Sequence, residues 1–180
     1  MRQNLRLHPD SRCKAVTRIE VEVTRPRPDA LALHYFVTGD IGEVRWPAQA
    51  LPERREGLWQ YTCFEAFAKL AQGGAYFEYN FSPSLQWAAY CFDDYRLGMR
   101  EAPLLRDPQI GTRSEVTIFE LSTLQPVSLP TDSNWRVGLS AVIEETNGDK
   151  SYWALAHPDG RADFHHSDCF ALELAAASLA

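Results

Sequence analysis

The stretch from Leu58 to Phe92 sets the strongest limit on how this chain can fold. It holds eleven of the 21 aromatic residues in 35 positions, and only Gly73-Gly74 and Ser82-Pro83-Ser84 interrupt it. Breaks this short leave room for tight turns and none for helical crossovers. The runs Tyr61–Leu70, Ala75–Phe81 and Leu85–Phe92 are therefore expected as three adjacent antiparallel strands, a meander. The first run is ambiguous in isolation. On a helix Phe64, Phe67 and Ala68 would share a face. On a strand Phe64, Ala66, Ala68 and Leu70 alternate against Tyr61, Cys63, Glu65 and Phe67. The glycine turn that follows favours the hairpin.

The same period recurs along the chain. Ala15–Thr24 sets Ile19, Val21 and Val23 against Arg18, Glu20 and Glu22, and the sequence RPRPD is expected to end that strand. Ala30–Val37, Glu115–Leu121, Trp135–Thr146, Ser151–Ala156 and Phe170–Leu174 are further strands, with NGD as the turn before Ser151. The polar, proline-marked segments Trp46–Gly57, Asp93–Gly111 and QPVSLPTDSN are expected as loops. The result is an all-β chain, an antiparallel β-sandwich of about nine or more strands with little helix. A length of 180 residues suits one domain over residues 1–180 with a single core. The terminal LELAAASLA is expected as a frayed tail or a last half-turn.

Charge narrows the function classes. The net charge is -6, and acidic and basic residues are interspersed, so nothing points to nucleic acid or an anionic membrane. No apolar run is long enough to span a bilayer. The first residues, MRQNLRLHPDSRCK, lack a signal-peptide core, so a cytoplasmic location is expected. Cys13, Cys63, Cys91 and Cys169 form no CxxC pair and are expected as reduced thiols, three of them filling the core.

A core needs the rings of Leu58–Phe92 but not the polar groups set among them. A ligand pocket needs both, because rings supply contact area and a few polar atoms fix orientation. Trp59, Tyr79, Trp87 and Trp153 are candidate platforms for a sugar ring, with core filling as the alternative for each. Glu65 stands mid-strand among apolar neighbours, where a carboxylate is either ion-paired or open to a cleft. Asn80 and Ser82, at a strand end before Pro83, could bond a ligand hydroxyl or cap the turn. In ADFHHSD, extended backbone would send His165 and His166 to opposite sides, which weakens a shared metal site and favours one histidine lining a small-molecule site. Catalysis has little support. There is no GxSxG elbow, Ser82 precedes a proline that has no N–H for an oxyanion, and Glu65 with Glu78 across a hairpin is the only carboxylate pair in view. A non-catalytic binding module is therefore expected.

The strings LW-x3-CFE-x-F and YNFSPS-x2-W, followed late in the chain by SYWALAHP and DFHHSDCFALEL, resemble the bacterial DOMON-like proteins, which are similar to the family 9 carbohydrate-binding modules. The resemblance runs from Leu58 onward and implies a β-sandwich with a ligand site on or beside a sheet face. Carried over by position, it makes Trp59, Glu65, Tyr79, Asn80, Ser82 and Trp87 ligand-site candidates, together with Trp153 and His165 or His166. A carbohydrate or sugar-like small molecule is the implied ligand, and no cofactor is expected. Haem binding is the alternative from the wider superfamily. It would use Met99 with His157, His165 or His166, without covalent attachment because CxxCH is absent. Calcium is a further alternative cofactor. A protein-interaction sandwich without a small ligand, or a homo-oligomer, also fits the aromatic content.

Overall fold

The computed structural model describes residues 1–176. Its strands are β1 (Arg2–Leu7), β2 (Val16–Arg27), β3 (Ala30–Gly39), β4 (Cys63–Leu70), β5 (Tyr76–Phe81), β6 (Trp87–Phe92), β7 (Arg100–Glu101), β8 (Gln109–Ser114), β9 (Ile118–Pro126), β10 (Trp135–Glu144), β11 (Lys150–Ala154) and β12 (Leu172–Leu174). Among the described residues the helical pieces are single 3-10 turns, at Ile41–Glu43, Leu58–Gln60 and Ser167–Cys169. All pairings between these strands are antiparallel.

The strands form one curled, open sheet that folds into the two facing layers of a sandwich. One layer runs β1-β2-β3-β9-β8 and the other β7-β6-β5-β4-β10-β11, with β12 on the edge of β10 beside β11. β1 joins the layers. Residues Arg2 to Leu5 pair with β2, and Arg6 and Leu7 pair with β11. Between the layers lie Ile19, Val21, Val23, Tyr35 and Val37 from one side and Phe64, Ala66, Tyr79, Phe81, Val137 and Leu139 from the other, all at most 2% exposed. Rings cross the gap, with Tyr35 and Phe64 at 4.9 Å and Phe64 and Phe119 at 6.1 Å. Tyr35 meets the cost of its buried hydroxyl by donating to the Glu65 carbonyl at 2.7 Å.

The sandwich is asymmetric in what covers it. The outer face of β2, β3 and β9 is polar, with the pairs Arg2–Glu20, Arg18–Glu20 and His34–Glu120. The outer face of β4, β5, β6 and β10 is buried as well, and these strands show almost unbroken burial on both sides. A second cluster containing Phe67, Tyr76, Tyr90, Phe92, Val142, Phe164 and Phe170 covers that face. Its lid is the segment that follows β11. Gly138 on β10 makes the lid's close approach feasible, since a Cβ there would stand 3.0 Å from the Cys169 carbonyl oxygen.

Each expected strand has a counterpart, and Tyr61–Leu70 resolves as extended β4 from Cys63 on, but β9 begins at Ile118 and runs to Pro126, into the expected loop QPVSLPTDSN, and the expected loop Asp93–Gly111 contains β7 and the start of β8. Other expectations need correction. β2 runs through RPR to Arg27 instead of stopping at Thr24, with a register shift between Thr24 and Arg27. Pairing with β1 ends at Glu22, so Pro26 deprives no β1 partner of a hydrogen bond. β1, β7 and β8 come from segments with no apolar alternation. Trp46 belongs to the loop as expected, yet its ring stacks on Phe119 at 3.9 Å and its Nε1 donates to the Ile41 carbonyl. Of the terminal LELAAASLA, residues 172–174 pair with β10, and residues 177–180 lie outside the described residues.

Candidate functional site

The period of two on β4, β5 and β10 sends one set of polar residues outward beneath the lid. β4 presents Cys63, Glu65 and Phe67, β5 presents Tyr76, Glu78 and Asn80, and β10 presents Ser140 and Val142. Register aligns them. Ser140 lies opposite Glu65 and Glu65 opposite Asn80, while Phe67 lies opposite Glu78 and Glu78 opposite Tyr90. Glu65 and Glu78 are thus diagonal neighbours on one sheet face, a relation that brings long side chains within reach of each other.

Both carboxyls line a cleft of about 430 Å³. Trp59, Phe92, Met99, Val142, Tyr152 and Phe164 form its apolar walls, and Arg96 and His165 complete its polar lining. Trp59 is 42% exposed and Met99 52%, so both stand at the rim, whereas Glu65 (3%) and Glu78 (6%) lie on the floor. The 3-10 turn Leu58–Gln60 holds Trp59 in place. Leu58 is buried beneath it, and Gly57 enters the turn at φ 75°, a conformation that favours glycine.

One oxygen of each acid is anchored. Ser140 Oγ donates to Glu65 Oε2 at 3.1 Å, and Asn80 Nδ2 donates to Glu78 Oε1 at 2.7 Å. Among the described residues no lysine or arginine pairs with either carboxyl. Burial, and then the charge of Glu78, push Glu65 up to about 8. Burial pushes Glu78 up to about 7, against the Asn80 hydrogen bond and the Arg96 charge. Burial, and then Arg96, lower His165 to about 4, so its ring is neutral. The Arg96 amide donates to Tyr76 Oη at 3.2 Å, and the same hydroxyl is hydrogen-bonded to His165 Nδ1 at 2.8 Å. His165 Nε2 stands 3.7 Å from Glu78 Oε2.

The lid is tied to the β6–β7 connection. Arg96 Nη2 donates to Asp163 Oδ1 at 2.7 Å, Tyr95 Oη donates to Asp163 Oδ2, and the His165 amide donates to Asp163 Oδ1 at 3.1 Å. Burial alone would raise Asp163, but the bonds from Tyr95 and Arg96 outweigh it and hold the carboxyl below its ordinary value. Cys169 Sγ fastens the lid from within, 3.2 Å from the carbonyl oxygens of Ala156 and Asp163, which share its single proton.

The residues singled out from sequence therefore divide. Trp59, Glu65 and His165 line the cleft, and Asn80 lies directly behind its floor, fully buried and bonded to Glu78. Tyr79, Trp87 and Trp153 do not reach it. They point into the core between the layers at 0%, 4% and 5% exposure, because each sits on the opposite parity of its strand. Ser82 closes the turn after β5, accepting from the Ser84 amide at 3.1 Å and the Ser84 hydroxyl at 2.8 Å. His166 faces away from the cleft and accepts from the Asp168 amide at the start of the 3-10 turn Ser167–Cys169. Asp163 is engaged by Tyr95 and Arg96, and among the described residues no group of three or more His, Cys, Asp or Glu is placed to hold a metal ion.

Sequence reasoning raised Glu78 among the polar groups of the aromatic stretch and as a carboxylate partner of Glu65 but left it out of the ligand-site candidates, and overlooked Phe92, Arg96, Val142, Tyr152 and Phe164. Parity carries the signal for two of these. Glu78 shares its face with Asn80, and Tyr152 takes the face opposite Trp153. The lid residues leave no such trace, since an irregular segment has no period.

No family model matches the chain, and no curated protein does. Three solved structures resemble it. A candidate carbohydrate-binding protein from Bacteroides uniformis has a TM-score of 0.70 at 15% identity, over 94% of this chain and 83% of that one. The chain has the fold of a family 9 carbohydrate-binding module. One such module from Caldicellulosiruptor kristjanssonii, in complex with cellotriose, has a TM-score of 0.59 at 8% identity, over 89% of this chain and 74% of that one. A family 9 module from the same organism, in complex with glucose, gives 0.50 at 9% identity over 87% and 76%.

Proposed function

We propose that this chain is a non-catalytic binding module for a saccharide or sugar-like small molecule, held in the cleft on the outer face of β4, β5 and β10. One observation carries the reading: the rim-exposed Trp59 stands over a floor of two buried carboxyls with free oxygens. The flat face of an indole suits the apolar C–H face of a pyranose, and carboxyl oxygens suit its hydroxyls. The anchored oxygens of Glu65 and Glu78 fix both side chains before any ligand arrives, which limits the entropy lost on binding. The family 9 fold supports the reading, since two modules of that fold are in complex with cellotriose and glucose.

The test is calorimetric titration of the protein and of Trp59→Ala with glucose and cellobiose. Because Trp59 is 42% exposed, Trp59→Ala keeps the fold, and binding should weaken at least about tenfold, or about 1.4 kcal/mol. Saccharide binding that the variant leaves untouched would place the site elsewhere. A second reading, haem, is favoured by Met99 and His165 lining the same cleft. Haem coordination requires a Soret band after mixing with haemin that disappears in Met99→Ala, and a spectrum of free haemin alone would exclude it.

A further inference from the structure

We propose that the ligand of this cleft carries an ammonium group, so that the preferred saccharide is an amino sugar with a free amine. This rests on the saccharide reading above and narrows it. The argument begins from a mismatch between cost and purpose. Neutral hydroxyls can be read by glutamine, asparagine or serine at little cost. Two adjacent carboxyls at 3% and 6% exposure, with no lysine or arginine partner among the described residues, are an expensive way to bind a neutral ring. Each has one oxygen anchored by the protein, Oε2 of Glu65 and Oε1 of Glu78. The other two oxygens have no donor hydrogen-bonded to them among the described residues.

The protein's own cations near the cleft are already engaged or uncharged. Arg96 lines the cleft and its charge reaches Glu78, but Asp163, bonded to it at 2.7 Å, offsets that charge. His165 is neutral, and its Nδ1 is held by Tyr76. The remaining ionisable neighbours, Tyr76, Tyr90, Cys63 and Asp163, offer no positive charge. The rest of the lining includes the aromatic rings of Trp59, Phe92, Tyr152 and Phe164, whose negative faces also attract a cation. Carboxyls beneath and rings around describe a cage for an ammonium. The raised affinity of the carboxyls for protons gives the same sign: the empty cleft recruits a positive charge from solvent, and a ligand ammonium can supply it instead.

Exchange of a proton for an ammonium has a signature that hydroxyl recognition lacks. At pH 6.5 glucosamine binding should expel a proton from the pair into the buffer, so the observed enthalpy should be more exothermic in ACES, which takes up a proton with a large heat, than in phosphate. Glucosamine should bind at least tenfold tighter than glucose. N-acetylglucosamine, whose nitrogen carries no charge, should bind no tighter than glucose. In E65Q/E78Q the advantage of glucosamine should vanish. Glucose binding as tightly as glucosamine, with no buffer dependence, would overturn the ammonium and leave the saccharide reading standing. Binding of n-butylammonium with no hexose bound would uphold the ammonium and overturn the saccharide. No binding by any of these probes would overturn both.

Discussion

Replacing Glu65 and Glu78 by glutamine should stabilise the protein strongly at neutral pH and by only about 2 kcal/mol at pH 5. Glutamine copies the shape of a protonated carboxyl and keeps the oxygens that accept from Ser140 and Asn80. In the unfolded chain both acids lose their protons near pH 4.3. In the folded chain they hold them up to about 8 for Glu65 and about 7 for Glu78. Between those limits the folded state binds more protons than the unfolded state. The linkage slope is then negative, and stability falls as pH rises. Each such proton contributes about 1.4 kcal/mol per pH unit, so two protons between pH 5 and pH 7 give a ceiling of about 5 kcal/mol.

His165 works in the opposite direction. Its folded value of about 4 lies below its ordinary value, so the unfolded chain binds the extra proton and stability rises with pH up to about 6.5. The wild type should therefore lose about 1.4 kcal/mol per unit from pH 5 to 6.5, and about twice that from there to 7. E65Q/E78Q keeps only the histidine and should gain stability over the first interval. Urea unfolding of both proteins at pH 5 and pH 7 measures the difference directly. Thermal midpoints should separate by about 10–20 °C on moving to pH 7, at about 2–4 °C per kcal/mol for a chain of this size. Midpoints that differ by the same amount at both pH values, within about 2 °C, would refute the claim that the buried pair holds protons.

Two further perturbations test the frame around the site. Glu145, 6% exposed, accepts from the amides of Lys14 and Ala15 at 2.9 and 2.6 Å, so Glu145→Ala strands two backbone donors and should cost about 2–4 kcal/mol in urea unfolding, with Glu145→Gln restoring part of the loss. Gly138→Ala places a Cβ 3.0 Å from the Cys169 carbonyl oxygen and should lift the lid, so saccharide titration should show at least about a tenfold loss of affinity while urea unfolding shows no more than about 1–3 kcal/mol; unchanged affinity would mean that the lid's seating does not shape the cleft.

Most of the fold was legible because most strands bury one face, and burial on one face writes a period of two into the sequence. Ile19, Val21 and Val23 on β2, and the alternation of β9, are direct prints of the core. β1 left no such print. It lies at the seam where one layer passes into the other, and only Leu5 of its six residues is buried. β8 is an edge strand, and its polar QIGTRS suits an exposed edge that must not recruit another chain. The proline segment at the end of β2 misled for a related reason, since beyond Glu22 the strand has only β3 beside it.

The site was less legible because its strands bury both faces, so aromatic content alone could not say which rings look inward. Tyr79 and Asn80 cannot share a face of β5, nor Tyr152 and Trp153 a face of β11, so choosing Asn80 for the ligand argues against Tyr79 on geometry alone. Parity still needs an anchor to say which side is the core, and β4 supplies one. Phe64, Ala66 and Ala68 can pack against the other layer, whereas a carboxyl at 65 cannot lie in the dry gap between two sheets without a partner. The face opposite Phe64 therefore carries the chemistry. Register then transfers that assignment from Glu65 across to Asn80 and Ser140, and parity carries it along β5 to Glu78. Sequence period does not place the lid. His165, Phe164 and Arg96 reach the cleft through Asp163, Tyr76 and the space left open by Gly138, contacts that bring together segments far apart in the chain.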